Sequence, residues 1–149
     1  DVDVVVVHDA ARALAPAELA ESVIARVRSG APACVPVMPL VDTVKLVDGS
    51  GAGSDDGGTV VRTLDRSGLY AVQTPQGFRR DLLVKAHAWA DQASAQELAA
   101  LTDDAGLVEA LGYDVVVVPG SDEAFKVTRP IDLVLAEAVL ARRRADGAT

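Results

Sequence analysis

Asp9 and Arg12 stand just beyond the aliphatic run Val4-Val5-Val6-Val7, with His8 leading into them. Thr43 and Lys45 follow a second apolar run, Ala33-Cys34-Val35-Pro36-Val37, and Lys126 follows a third, Val115 to Val118, and its turn at Gly120. Arg66 and Thr74 flank the return from an intervening hairpin. In open α/β sheets ligands collect beyond the carboxyl ends of the strands. One rim can therefore carry a carboxylate, several cations and two hydroxyls. Phosphoryl or nucleotidyl transfer needs those parts, because cations offset developing phosphate charge and a carboxylate can hold Mg²⁺. Each residue also has a structural reading. An Asp after a strand serves equally as a turn-maker or helix cap, and Arg12 can cover apolar surface with its stem. Lys126, in Ala124-Phe125-Lys126-Val127, alternates with apolar neighbours as a solvated strand residue would. Spacing alone supports an anion-binding α/β domain.

The remaining reactive residue types point elsewhere. His8 and His87 are far apart in sequence, and no Cys or acidic cluster gives a zinc spacing, so a packed or hydrogen-bonded His8 is expected. Cys34 lies inside an apolar stretch and reads as a core residue rather than a nucleophile. Gly51-Ala52-Gly53 lacks the Gly-Lys-Ser/Thr and the strand-to-helix turn of a phosphate loop and reads as a loop. Arg142-Arg143-Arg144 reads as a solvated helix end.

The elements that must position these residues follow from periodicity. Val4 to Val7, Ala33 to Val37 and Val115 to Val118 are short β-branched or apolar runs that predict strands buried on both faces. Pro36 hints at an edge position or an irregularity. Pro16 opens a helix with Leu19, Val23 and Val27 on one stripe and Gly30 as its stop. A helix over about Arg79 to Asp91 comes next, then one capped by Thr102 or Asp103, with Leu107, Ala110 and Leu111 apolar and Gly112 as its end. The last helix opens at Thr128 and Pro130, with Asp132 early and the arginines late, as the helix dipole favours. Thr43 to Val47 and Thr59 to Leu64 alternate and predict a protruding hairpin arm, with a mobile polar tip from Asp48 to Gly58. A two-stranded ribbon is marginal alone, so its flanks should pack on a second subunit. The alternation of strands and helices predicts one α/β domain over residues 1–149, with a mostly parallel sheet, helices on both faces and the arm at about 43–64.

Composition excludes several classes. The chain has 149 residues, 50% of them hydrophobic, which a disordered segment lacks. A net charge of −8 runs against nucleic-acid binding. No apolar run of about 20 residues is present to cross a membrane. One cysteine forms no internal disulfide and suits a reducing compartment, hence a cytoplasmic expectation. Met38 is the only Met and Asp1 leads straight into a core strand, so we expect residues upstream.

Six stretches occur together in one order: His8-Asp9-Ala10-Ala11-Arg12, Asp42-Thr43-Val44-Lys45, Asp65-Arg66-Ser67-Gly68-Leu69, Gln73-Thr74-Pro75-Gln76 with Phe78, Thr102-Asp103-Asp104-Ala105, and Phe125-Lys126-Val127-Thr128 with Pro130 and Asp132-Leu133. The set resembles the 2-C-methyl-D-erythritol 4-phosphate cytidylyltransferases of the non-mevalonate isoprenoid pathway, over nearly the whole chain. Ribitol 5-phosphate cytidylyltransferases share much of the pattern and are the nearest rival; a non-catalytic dimerising remnant is the non-enzymatic alternative.

The resemblance implies a nucleotidyltransferase fold of the glycosyltransferase-A type, Mg²⁺ dependence, and a homodimer with exchanged arms. Its reaction joins CTP and a sugar-alcohol phosphate with release of pyrophosphate. Carried over by motif, Arg66 and Lys126 would position methylerythritol phosphate for attack, and Asp9 would lie at the metal and substrate. Arg12, Thr43 and Thr74 would contact the sugar phosphate, with Thr43 and Arg66 serving the partner subunit's site. Ala13 stands where the family has Pro, and the Asn usual before the Lys-Val-Thr stretch is replaced around Phe125. The family's N-terminal glycine-rich triphosphate loop and cytosine-reading residues are not in this sequence, so the 149-residue piece by itself is expected to be inactive.

Overall fold

The computed structural model describes residues 2–48 and 58–147. Strand β1 (Val4–Val7) is followed by helix α1 (Ala17–Arg28), in which Leu19, Val23 and Val27 are buried at the spacing that brings one stripe onto a sheet. Gly30 stops α1 at φ +110°, a left-handed conformation strained for any residue with a Cβ. Then come β2 (Ala33–Pro39), the short strands β3 (Lys45–Val47), β4 (Val60–Thr63) and β5 (Tyr70–Val72), and β6 (Gln76–Arg79). Helices α2 (Arg80–Ala90), α3 (Ala95–Leu98) and α4 (Asp104–Ala110) lead to β7 (Val115–Pro119), a single 3₁₀ turn at Asp122–Ala124, and α5 (Pro130–Ala145).

The main sheet has the order β1-β6-β2-β5, with β7 also paired to β2. β2 and β7 are parallel, Ala33 opposite Val115 through Val37 opposite Pro119. β6 runs antiparallel to both β1 and β2, so β1, β2 and β7 share one direction. Side chains alternate across β2. Cys34 joins Val23 and Val27 of α1 on one face. Ala33, Val35 and Val37 join Phe78, α2 residues Leu82, Leu83 and Ala86, and α4 residues Ala105 and Val108 on the other. Helices thus cover both faces, as the alternating pattern predicts. Cys34 is fully buried, and burial pushes its thiol above the ordinary value, which suits a packing role.

Several local expectations are corrected. Gln-Gly-Phe-Arg carries no apolar alternation, so the sequence does not predict β6, yet it lies between β1 and β2. A Cβ at Gly77 would come within 2.5 Å of Val23 Cγ1, so α1 can pack there only against glycine. β1 and β7 are half-buried rather than buried on both faces; β1 ends the described sheet, and Val117 is 60% exposed. Pro36 is neither edge nor exposed. Its carbonyl accepts the Gln73 N–H at 2.8 Å, so its missing donor faces away from β7 and removes no bond from that ladder. In α4 the buried stripe is Ala105 and Val108, flanked by Leu107 and Leu111; Ala110 is exposed, because the helix begins at Asp104 and turns that position outward.

The chain divides into two compact units, residues 1–37 with 72–149, and residues 38–71. The second holds the expected hairpin. β3 and β4 pair antiparallel, Lys45 opposite Thr63 and Leu46 opposite Arg62, with an irregularity before Val47. The Asp48 N–H donates to the Thr59 carbonyl at 3.1 Å, and the Thr59 N–H returns to Asp48 Oδ1 at 3.0 Å. Every residue of both strands is exposed in the single chain. Of the tip expected between Asp48 and Gly58, residues 49–57 lie outside the described residues.

Candidate functional site

A cleft of about 340 Å³ opens in the first unit, among Asp9, Arg12, Thr74, Gln76, Asp103 and Lys126. β1 ends just before Asp9, and the segment after β7 brings in Lys126, so residues more than a hundred positions apart meet at one sheet end. Lys126 Nζ lies 3.1 Å from Asp9 Oδ2, and Arg12 Nε lies 3.4 Å from the same oxygen. The Lys126 hydrogen bond holds the Asp9 carboxyl below its ordinary value; burial opposes, and the Lys126 and Arg12 charges add to the lowering. Asp9 is therefore ionised throughout the neutral range.

The backbone under Asp9 is equally held. The Asp9 N–H donates to Thr74 Oγ1 at 2.9 Å, and the same hydroxyl lies 2.9 Å from His8 Nδ1. A hydroxyl accepts one bond and donates another, so Thr74 matches both partners. His8 is the hydrogen-bonded residue the sequence suggests. Arg12 is 13% exposed and reaches backbone rather than solvent: Nη1 donates to the Ala124 carbonyl at 2.7 Å and Nη2 contacts the Val72 carbonyl at 3.5 Å. Among the described residues its buried Nε–H has no hydrogen-bond acceptor in good geometry, so the contact with Asp9 is Coulombic.

Asp9, Arg12, Thr74 and Lys126 are thus brought together. Thr43 and Arg66 belong to the second unit and are exposed there; an Arg66 guanidinium N–H donates to the Val41 carbonyl. Sequence reasoning gave no role to the two glutamines bracketing Thr74, although both are buried. Gln76 Nε2 donates to Asp103 Oδ2 at 2.7 Å, while Asp103 Oδ1 caps α4 by accepting the Gly106 N–H at 2.9 Å. Their signal in the sequence is a pair of amides on either side of Thr74-Pro75, directly after the apolar Tyr70-Ala71-Val72 run. Arg142 and Arg143 are likewise not a merely solvated helix end: both pair with Glu123, and Arg143 also donates to the Leu14 carbonyl at 2.6 Å.

No group of three His, Cys, Asp or Glu side chains suited to a metal occurs among the described residues. Asp9 offers one carboxylate at the cleft, while Asp103 is engaged as a cap and Asp104 pairs with His87 at 2.7 Å. That donor set excludes an all-protein cage. It fits Mg²⁺, which usually takes one or two carboxylates and fills its remaining positions with phosphate oxygens and water.

A family model described as IspD, 2-C-methyl-D-erythritol 4-phosphate cytidylyltransferase, matches residues 1–142. The enzyme of that name from Frankia casuarinae is 61% identical over 142 residues, 95% of this chain and 48% of the relative. The one from Streptomyces avermitilis is 57% identical over 143 residues, 96% of this chain and 54% of the relative. The crystal structure of the Thermus thermophilus enzyme superposes with TM-score 0.74 at 40% identity, covering 93% of this chain and 62% of that one. The Francisella tularensis structure gives 0.76 at 29% identity, over 91% and 58%. The chain spans about half the length of the curated relatives it matches.

Proposed function

Since the chain belongs to the 2-C-methyl-D-erythritol 4-phosphate cytidylyltransferase family, we propose that its protein transfers the cytidylyl group of CTP to methylerythritol phosphate, releasing pyrophosphate, in non-mevalonate isoprenoid precursor synthesis. The observation that carries the chemistry is the Asp9–Lys126–Arg12 cluster beyond β1 and β7. The substrate phosphate attacks the α-phosphorus of CTP directly. Cys34, buried with its thiol protonated, supports no covalent route.

Lys126 is 49% exposed, so its ion pair with Asp9 is worth little, about 0–1 kcal/mol. An arriving phosphate can therefore draw the ammonium from Asp9 at small cost. Phosphate gains a charge-assisted bond, and Asp9 Oδ2 gives up its hydrogen bond while keeping the Coulombic contact with Arg12. Asp9 would then hold Mg²⁺, which would neutralise triphosphate charge. Arg12 adds positive potential from its buried position, and Thr74 keeps the Asp9 backbone in place and can turn its hydroxyl proton from His8 to a substrate oxygen.

Thr43 and Arg66 act from the arm, in our reading on the site of a second subunit. The exposed Val41, Leu46, Val60 and Val61 of the unit support a covering partner, because an isolated two-stranded ribbon is marginal in water. We place the protein in the cytoplasm on its single buried thiol; among the described residues no helix is long and apolar enough to cross a membrane. The test is pyrophosphate release by the full-length protein with CTP, Mg²⁺ and methylerythritol phosphate. Release with ribitol 5-phosphate alone would reassign the acceptor, and release with neither would overturn the transferase reading.

A further inference from the structure

Gln73 is 7% exposed, and both ends of its amide bind one residue. Nε2 donates to the Ser121 carbonyl at 2.9 Å, and Oε1 accepts the Ser121 N–H at 3.0 Å. The side chain thus pairs with Ser121 as a neighbouring strand would. The Gln73 N–H in turn donates to Pro36 in the central strand at 2.8 Å. Ser121 starts the turn that delivers Lys126: its carbonyl also accepts the Ala124 N–H at 3.0 Å, and its hydroxyl accepts the Glu123 N–H at 3.2 Å. Beyond the turn, the Val127 N–H donates to the Ala11 carbonyl at 2.8 Å. The turn is therefore tied at its start by Gln73 and at its end by the residue next to Arg12.

We infer that Gln73 is a positioning residue for the reaction, acting through Ser121 on the Lys126 ammonium. The inference rests on the proposed transferase function. With both amide ends engaged by Ser121, Gln73 has little left to offer a substrate; its effect passes through the backbone. Lys126 has a long, flexible stem, so the turn beneath it must be rigid for its ammonium to meet a phosphate at a defined place. No apolar side chain can replace the clamp, because the half-buried Ser121 N–H would lose its Gln73 acceptor and the Ser121 carbonyl would keep only the Ala124 N–H.

Two substitutions in the full-length protein test this. Gln73→Leu removes both bonds. Gln73→Glu keeps the acceptor for the Ser121 N–H but, when ionised, sets a carboxylate oxygen against the Ser121 carbonyl; when protonated it restores the donor. Gln73→Leu should lower kcat about tenfold or more with KM for CTP changed less than about threefold. Amide exchange at Ser121, Ala124 and Val127 should quicken by about tenfold or more, while the amides of α2 stay as protected as in the wild type. Gln73→Glu should be closest to wild-type turnover at the acid end of the profile and fall away as pH rises. Wild-type kcat in Gln73→Leu, or exchange at 121–127 no faster than in the wild type, overturns the role. So does a Gln73→Glu profile parallel to the wild type. A wild-type protein without turnover would instead overturn the function itself, and the positioning role with it.

Discussion

Around Asp9 the polar atoms are tied to the neighbouring Arg12 and to partners from distant parts of the chain: Thr74 under its backbone, Lys126 at its carboxylate, Ala124 beyond Arg12. On the arm, Thr43 and Arg66 are exposed, and the ribbon that carries them buries none of its own strand residues in the single chain. The same residue types, hydroxyl and cation, are preorganised in one unit and lack burial in the other. Preorganised groups need no reordering when charge develops, which is where electrostatic catalysis gains most. An arm of this kind gains that order only from whatever covers it.

Lys126→Ala should have the largest effect, a fall in kcat/KM of about 100-fold in the full-length protein. That is the scale of one charge-assisted phosphate contact that strengthens in the transition state. Circular dichroism should be unchanged, since Lys126 is 49% exposed and no core residue rests on it. A near-normal rate would remove the lysine from the reaction.

Arg66→Ala should cost about tenfold or more, and here the comparison can be broken. Mixing Arg66→Ala protein with Lys126→Ala protein should partly restore activity if arms serve the partner's site, because one site in the mixed dimer then has both side chains. No recovery after verified subunit exchange would mean that each chain supplies its own Arg66.

Two glycines contrast the units without touching the chemistry. Gly77→Ala drives a Cβ to 2.5 Å from Val23 Cγ1 and 3.3 Å from Val27 Cγ2, so denaturant titration should show a loss of about 1–3 kcal/mol. Gly68 in the second unit has nothing among the described residues within 4 Å of an added Cβ and no positive φ. Gly68→Ala should therefore leave stability unchanged or raise it by up to about 1 kcal/mol. Equal effects at the two positions would contradict the difference in packing.

The smallest effect concerns pH. The folded Asp9 carboxyl sits below its ordinary value of 3.8, chiefly through Lys126. Its stabilisation is present above that value and is lost as pH falls through the depressed one. Solvent screens a pair 35% and 49% exposed, so the contribution stays below about 1 kcal/mol. Wild-type and Asp9→Asn melting temperatures should converge as pH drops below about 4. A gap that widened toward acid would reverse the sign.

Much of the first unit was legible in the linear sequence because local periodicity encodes which face an element buries. The Leu19-Val23-Val27 stripe, the strand runs of β1, β2 and β7, the Asp103 cap and the Pro130 start of α5 all follow from neighbours within a few residues. The ordered motifs pick out Asp9, Arg12, Thr43, Arg66, Thr74 and Lys126, of which Asp9, Arg12, Thr74 and Lys126 line one cleft. What tertiary structure decided depends on chain segments far apart. β6 became an antiparallel insert because Gly77 lets α1 approach, and no pattern within Gln76–Arg79 reports that approach. Gln73 acquired its place only when Ser121 was brought opposite it, and Glu123 drew two arginines from the end of α5. Side-chain periodicity is a local property, whereas strand order and hydrogen-bond partnership arise only when distant backbone is brought together and each buried donor must find an acceptor.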